Sequence, residues 1–396
     1  LLIISSWAVA LVMYLSAGLW ATFFGDSRVA EVVEVLALGF TLIPLGSVSS
    51  AVLSRELQVS RTATVAFLST SVYFAVSVAF ALNGFEHMTM AWANLVHIIF
   101  TGIALNLALN RKLPWKPSLR GWRDVLSFGT GNLLGNLAIE VNKAIPDMAL
   151  GRLSNAAAVG LFSRANSTVS MLEKLLAPPI NYFTLPYMAK VHHSAGDVGA
   201  VYARVASILQ CLTFPALAWI AILSDDIILT LYGAPWLQAA TAVPWLCVAI
   251  GIASWFSLAT PTLNGVGKPY AVMWPISCVI LGKLLAIGVL FDGSLSSFAL
   301  AMALGELLGA PVYLWTLQRH ARLNLTHLAT QTARALAVLI PANLALYALA
   351  LAMPAEWSAW ARMGVAFFAS VLLHGALYLV VNLPIREEIH VIFKNL

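Results

Sequence analysis

Three charged residues share one face of a helix that is otherwise apolar. Glu140, Lys143 and Asp147 lie in the stretch NLAIEVNKAIPDMALGRL, residues 136–153, and their spacing places them on the same side of an α-helix. Two interpretations fit this pattern. Lys143 neutralises the two carboxylates so that the helix can enter a membrane, or the charged face lines a water-filled cavity and binds a ligand. Pro146 favours a kink but does not choose between them.

Four further ionisable residues lie in apolar stretches that follow. An ionised side chain in the hydrocarbon region of a membrane costs about 2.5–3.5 kcal/mol, so such groups usually face a cavity or a partner. Arg and Lys donate charge-assisted hydrogen bonds to phosphates and carboxylates, and a cavity that contains them is suited to an anion. For Lys283 there are two alternatives to ligand binding, which are snorkelling to the headgroups and a private ion pair with Glu306. The candidate binding residues are Glu140, Lys143, Asp147, Arg164, Lys174, Lys283 and Glu306.

Motifs for catalysis, cofactors and metals are missing from the sequence. There is no Walker A, GxGxxG, HExxH or nucleophile-elbow pattern, so we expect neither an enzyme nor a bound cofactor. Cys211, Cys247 and Cys278 are isolated in apolar stretches, which favours buried thiols over disulfides or a zinc site. His97 and His374 are single histidines on apolar helices, and we expect packing residues in preference to proton relays.

The composition shows which elements must position these residues. The chain has 396 residues, of which 60% are hydrophobic and 10% are charged, whereas soluble domains contain about 25% charged residues. This predicts a membrane protein made of helices of about 20 residues each. We find twelve such stretches: 3–24, 31–53, 62–82, 88–109, 125–150, 156–185, 200–223, 237–262, 270–291, 295–317, 331–353 and 359–383.

Basic residues are distributed unequally between the two ends of these predicted spans. Of the 22 Lys and Arg residues, fifteen fall on one side, three on the other and four within spans. The positive-inside rule places the basic side in the cytoplasm, with the C-terminus and the stretch RKLPWKPSLRGWRD, residues 111–124. The net charge of +5 is explained by this bias and implies no nucleic-acid partner. The loops on the opposite side are too short to hold a catalytic domain.

A weak internal repeat connects two parts of the chain. FFGDSRVAEVVEVLALGF (23–40) and LYGAPWLQAATAVPWLCVAIG (231–251) both pass from an aromatic-Gly pair into the next apolar span. When Gly25 is aligned with Gly233, the counterpart of the span that starts at Val125 falls upstream of Leu1. We therefore expect the native gene to encode about 80 more residues, enough for two further spans.

Two regions carry a resemblance to a known family. DMALGRLSNAAAVGLFSRANSTVSML (147–172) with PPINYFTLPYMAK (178–190), and FFGD (23–26) with LSRELQVSR (53–61), resemble the Wzx-type polysaccharide transporters. These are oligosaccharide flippases of the multidrug/oligosaccharidyl-lipid/polysaccharide exporter superfamily. The residues that match the pattern of the seventh and eighth helices of the family are Asp147, Gly151, Arg152, Gly160, Phe162, Ser163 and Ala165.

The resemblance implies an all-α membrane fold with fourteen helices in the complete protein. Two six-helix lobes enclose a cavity in such proteins, and two additional helices follow. Here it implies an incomplete N-terminal lobe (1–110), a cytoplasmic linker (111–124), a C-terminal lobe (125–318) and two additional helices with a cytoplasmic tail (319–396).

The resemblance also implies a function. The protein is expected to move an undecaprenyl-diphosphate-linked oligosaccharide across the cytoplasmic membrane by alternating access. The expected partners are that cargo, a coupling ion (H⁺ or Na⁺), membrane lipids and other polysaccharide-assembly proteins.

Three alternatives remain open on the sequence alone. A cation-coupled multidrug exporter of the same superfamily would have a more acidic and aromatic cavity. A polysaccharide polymerase or glycosyltransferase would have a large outer loop with acidic or His residues. A membrane scaffold without transport activity would need no charges within its spans.

Overall fold

The computed structural model describes residues 2–56, 58–109, 122–194, 196–354 and 356–380. Within these ranges the chain consists of helices and short connections, so the predicted all-α membrane fold is confirmed. The chain divides into two compact units, residues 1–127 and 128–396. The predicted linker 111–124, apart from its last three residues, and the tail after residue 380 lie outside the described residues.

The first unit contains five complete helices, of which α3 and α5 approach closely. A Cβ atom on Gly46 would lie 2.9 Å from the Cα of Gly102, so the contact requires glycine. Asn106 of α5 donates to the backbone carbonyl of Leu45 at 2.6 Å, which supplies a hydrogen bond within an apolar contact. The helices are α1 (Leu2–Phe24), α2 (Arg28–Leu42), α3 (Pro44–Arg55), α4 (Val59–Leu82) and α5 (Thr89–Ala108).

Ten helices are found in the described residues of the second unit. Its core contains the rings of Phe162 and Phe298, which meet edge to face at 5.1 Å between centroids. The helices are α6 (Trp122–Leu153), which begins just before the unit, α7 (Ala156–His193), α8 (Val198–Ile222), α9 (Ser224–Tyr232), α10 (Val243–Ser254), α11 (Ala259–Gly265), α12 (Met273–Leu290), α13 (Leu295–Ala321), α14 (Leu325–Ala352) and α15 (Ala359–Val380).

Glycines bring α12 and α13 into close contact. A Cβ atom on Gly305 would lie 2.2 Å from Cγ of Lys283, and one on Gly309 would lie 2.2 Å from Cγ2 of Val279. The GELLG stretch, residues 305–309, therefore works as the small-xxx-small spacing predicts, by allowing two helices to pack without side chains between their backbones.

Nine helical segments in the described residues are long and apolar enough to cross a membrane, and counting the bent pair α2–α3 gives ten. These ten coincide with ten of the twelve predicted spans. At the other two predicted spans the chain forms the long helices α6 and α7, of 32 and 38 residues. Within the described residues, neither is among the segments that are long and apolar enough to cross a membrane. Both contain several of the charged residues on which the functional predictions rest.

Two predicted spans are not single continuous α-helices in the structure. The span predicted at 31–53 bends by 51° between α2 and α3, where Pro44 cannot donate a backbone hydrogen bond. The span predicted at 237–262 consists of a 3₁₀ segment (Ala234–Ala242), α10 and α11. Both spans follow a glycine with positive φ, which is +71° at Gly25 and +89° at Gly233. Gly84, Gly267 and Gly293 also have positive φ, so this geometry does not single out the proposed repeat.

The connection that follows α8 is helical. Residues 224–238 form helix α9 and most of the 3₁₀ segment that follows it. The Leu223 carbonyl accepts from Ile227 at 2.9 Å, so a new helical turn begins directly after α8 ends. Hydropathy alone does not separate this short helix from a loop because its first turn contains Asp225 and Asp226.

Candidate transport site

Helix α6 presents a charged pair on its exposed surface. The ammonium of Lys143 lies 2.8 Å from Oε1 of Glu140, and both side chains are about two thirds exposed, at 66% and 67%. The predicted contact between them is confirmed. Asp147, also exposed, forms no ion pair with any described residue, so Lys143 does not bridge both carboxylates. The α-helix continues through Pro146 to Leu153.

Lys283 lies at the centre of a buried polar cluster that joins three helices. Its Nζ atom is 2.7 Å from Oε1 of Glu306 on α13 and donates to Oδ1 of Asn142 on α6 at 2.9 Å. The side chains of Lys283 and Glu306 are 9% and 15% exposed. Of the two sequence alternatives for Lys283, the structure has the ion pair with Glu306 and not a snorkelling side chain.

Arg164 of α7 lies against two aromatic rings. Its guanidinium carbon is 5.6 Å from the ring centroid of Tyr232, at the end of α9, and 5.2 Å from that of Trp236 in the 3₁₀ segment. Such contacts are attractive and hold the flat guanidinium group in a defined orientation. In the described part of the chain no carboxylate pairs with Arg164, so its N–H donors are available to a ligand.

Lys174 stands apart from these clusters. Its side chain and that of the neighbouring Glu173 are exposed on α7, and neither forms an ion pair with a described residue. The contacts thus bring together two pairs of predicted site residues, Glu140 with Lys143 and Lys283 with Glu306. They do not join Asp147, Arg164 or Lys174 to either pair.

Sequence reasoning missed several partners of these residues. Asn142, Tyr232 and Trp236 are uncharged, and their types alone do not distinguish them from other residues of apolar helices. The ion pair between Asp226 of α9 and Arg362 of α15 was also missed, although Asp226 is only 5% exposed. An acidic residue at the end of an apolar stretch was a usable signal that Asp226 has a partner. The identity of that partner could not be predicted, because it lies 136 positions away.

The two predicted histidines are packing residues in the structure. Nδ1 of His97 is 3.0 Å from the carbonyl of Ser69, and its ring lies beside Tyr73. His374 is 3% exposed, with Nδ1 2.8 Å from the carbonyl of Ser370. Cys211 and Cys247 are buried and all three cysteines are free thiols, as predicted.

Within the described residues, the helices define the fold of a polytopic membrane protein. A family model described as "Polysaccharide biosynthesis protein" matches residues 1–241, and the chain belongs to this family. The resemblance to the polysaccharide transporters is thereby confirmed.

Curated relatives extend the match beyond this region. The teichuronic acid biosynthesis protein TuaB of Bacillus subtilis (strain 168) is 24% identical over 322 residues, which cover 79% of this chain and 66% of TuaB. The succinoglycan biosynthesis transport protein ExoT of Rhizobium meliloti (strain 1021) is 22% identical, over 78% of this chain and 63% of ExoT. The lipopolysaccharide biosynthesis protein WzxC of Escherichia coli (strain K12) is 21% identical, over 61% of this chain and 49% of WzxC. The chain thus spans less than two thirds of the length of each relative.

Two solved structures share the fold. The lipid II flippase MurJ in an inward closed conformation superposes with a TM-score of 0.77 at 11% identity, covering 95% of this chain and 81% of MurJ. An inward-facing multidrug resistance transporter of the MATE family superposes with a TM-score of 0.68 at 14% identity. The match covers 81% of this chain and 78% of that transporter. At these identities the similarity establishes the fold and not the cargo.

Proposed function

We propose that the protein moves an undecaprenyl-diphosphate-linked oligosaccharide from the cytoplasmic to the outer leaflet of the cytoplasmic membrane. Alternating access coupled to H⁺, Na⁺ or the membrane potential would drive this movement, and the product would enter exopolysaccharide or lipopolysaccharide synthesis. Membership of the polysaccharide biosynthesis family and the transport function named for ExoT support this proposal.

The observation that carries the proposal is the exposed Glu140–Lys143 pair on α6. A charged pair that served only to let a helix enter the membrane would be buried against other helices, because exposure to lipid costs several kcal/mol per charge. Here both side chains are about two thirds exposed, at 67% and 66%. This exposure supports a surface of α6 that meets water or a polar cargo.

Arg164 on α7 is a separate group that favours an anionic cargo. Its guanidinium is oriented by Tyr232 and Trp236 and can donate paired hydrogen bonds to a phosphate or a carboxylate. Lys283 has a different role, because its ammonium already contacts Glu306 and Asn142. We therefore assign cargo contact to Glu140, Lys143, Asp147 and Arg164, and assign Lys283 and Glu306 to positioning α6.

The test is a triple variant, Glu140→Gln/Lys143→Gln/Asp147→Asn, in the full-length native protein. It removes all three charges without leaving a carboxylate unpaired, so we expect normal membrane abundance. Export of the polysaccharide should be lost, because a neutral amide cannot replace a charge-assisted contact in a site of low dielectric constant. Membrane abundance and exported polysaccharide are measured in the same cells. Normal abundance with normal export would contradict the role of this face in cargo binding.

Arg164 allows a second test with a matched control. Arg164→Lys keeps the charge but loses the planar group, and we expect reduced export at normal abundance. Lys190→Gln removes an exposed charge from the same helix and should leave export closer to wild type than Arg164→Lys does. Resistance to cationic drugs, measured in the same strains, addresses the alternative. A protein that confers such resistance and exports no polysaccharide would be a multidrug exporter.

A further inference from the structure

A cavity outside the proposed transport site lies at one end of the α12–α13 pair. Its volume is about 560 Å³, which is within the usual range for small-molecule sites. The cavity is formed by the start of α12, the 3₁₀ turn before it (Pro269–Val272) and the last two turns of α13. None of the residues predicted to bind cargo lines it.

The lining combines aromatic and basic side chains. The rings are those of Tyr270, Trp274 and Trp315, and the basic residues are Lys268, Arg319 and His320. The described lining residues include no Asp or Glu. A cavity with this composition favours an anionic group that is attached to an apolar body.

The basic groups keep free donors. The guanidinium carbon of Arg319 is 5.3 Å from the ring centroid of Trp315, one helical turn earlier on α13, and this contact orients the group. Among the described residues no carboxylate pairs with Arg319 or Lys268. Both side chains are exposed, so their donors are not consumed within the protein.

The aromatic rings indicate where the cavity lies along the membrane normal. Tyr270, Trp274 and Trp315 are 57%, 69% and 51% exposed, and all lie at helix ends, where Trp and Tyr favour the headgroup region. The same end carries Lys268 and Arg319, which belong to the basic side of the predicted topology. Anionic lipids attract clustered Lys and Arg at the cytoplasmic surface.

We propose that this cavity binds the headgroup of an anionic phospholipid of the cytoplasmic leaflet. The phosphodiester lies between Lys268 and Arg319, and the glycerol and upper acyl chains pack against Trp274 and Trp315. The bound lipid thereby connects the turn before α12 to the end of α13. Because none of its described lining residues lies on α6 or α7, the proposal does not depend on the identity of the cargo.

Native mass spectrometry of the purified full chain tests the proposal. The protein is mixed with phosphatidylglycerol or phosphatidylcholine, and the fraction that retains lipid is measured. We expect retention of phosphatidylglycerol, and about tenfold weaker retention in Lys268→Gln/Arg319→Gln. Lys190→Gln, which removes an exposed cation from the last turn of α7, is the matched control and should retain as much lipid as wild type. Equal retention by the double variant and the control overturns the proposal.

Two further arms identify the ligand. Trp274→Leu/Trp315→Leu should also weaken retention of phosphatidylglycerol, because the rings contact the body of the lipid. Millimolar inorganic phosphate should not displace phosphatidylglycerol from the wild type. Complete displacement by phosphate would show a simple anion site and overturn the assignment to a lipid. Equal retention of phosphatidylcholine and phosphatidylglycerol would overturn it as well, because the site would then not distinguish a zwitterionic headgroup from an anionic one.

Discussion

The ammonium of Lys283 lies 2.9 Å from the side-chain oxygen of Asn142, so a residue of α12 holds α6 at the position next to Lys143. Pro146, four residues after Asn142, has no N–H group, and the carbonyl of Asn142 therefore lacks its usual helical partner. Helix α6 is thus weakened in its own hydrogen bonding where Lys283 contacts it. The buried Lys283–Glu306 pair provides a fixed point from which the exposed face of α6 is presented.

Lys283→Met should strongly destabilise the protein. The change leaves the carboxylate of Glu306 buried without its partner, and breaking a buried pair in this way costs about 3–5 kcal/mol. Lys283→Met/Glu306→Met should recover most of this loss because no buried charge remains. Thermal unfolding in detergent measures both variants. Lys174→Met, which changes an exposed lysine without an ion-pair partner, is the control and should be close to wild type. A double variant no more stable than Lys283→Met would contradict the assigned pairing.

Gly305→Ala should separate α12 from α13. The added methyl group would lie 2.2 Å from Cγ of Lys283 and 2.7 Å from its backbone nitrogen, and the backbone cannot move aside without shifting the helix. We expect a loss of about 1–3 kcal/mol in the free energy of unfolding. Gly288→Ala on α12 has no atom within 4 Å of the new methyl group and is the matched control. If both variants unfold at the same temperature, the close contact does not contribute to stability.

Cysteine labelling tests the proposed orientation in the membrane. Ser224 is unsuitable as a labelling site because it is only 9% exposed, whereas Gln238 and His192 are exposed. In a background without the three native cysteines, an impermeant maleimide should label Gln238→Cys in intact cells. His192→Cys should react only after the membrane is opened. The reverse pattern would invert the topology and would move the proposed lipid site to the outer leaflet.

The loop between α12 and α13 predicts a pH dependence. Hydrogen bonds from the Ser297 hydroxyl, and then from the backbone and hydroxyl of Ser294, lower the pKa of Asp292 from 3.8 to about 2. A carboxyl whose pKa is lowered by folding stabilises the native state above its unfolded pKa, and this contribution disappears as the pH falls towards the folded value. The difference in unfolding temperature between wild type and Asp292→Asn should therefore be constant near neutral pH. It should narrow between about pH 4 and pH 2, and a difference that does not change would refute this role.

Hydropathy predicted the helices well because each membrane-spanning segment must satisfy its backbone hydrogen bonds internally. The breaks were not predicted. Pro44 is a recognisable signal for the bend between α2 and α3, but residues 255–258, between α10 and α11, include neither Pro nor Gly. That break depends on tertiary contacts, such as the hydrogen bond from the Tyr202 hydroxyl to the carbonyl of Trp255 at 2.7 Å.

The charged residues of the candidate site were predicted because they are ionisable residues in apolar stretches. One of the two pairs was also predicted, from its spacing along a helix. Glu140 and Lys143 meet because they are close on one helix. The sequence left open whether Lys283 pairs with Glu306, because their contact depends on how α12 packs against α13. The involvement of Asn142 could not be predicted, since no local pattern specifies which helix faces Lys283.

The break between α10 and α11 has a consequence for hydration. With 12 and 7 residues, the two helices measure about 18 Å and 10 Å, so neither alone crosses a hydrocarbon core of about 30 Å. The joint between them must therefore lie where lipid would leave its peptide groups without partners. Phe256 and Leu258 are 7% and 0% exposed, so protein rather than lipid surrounds the joint. The α-helix can be interrupted there because neighbouring protein, and not lipid, surrounds its peptide groups.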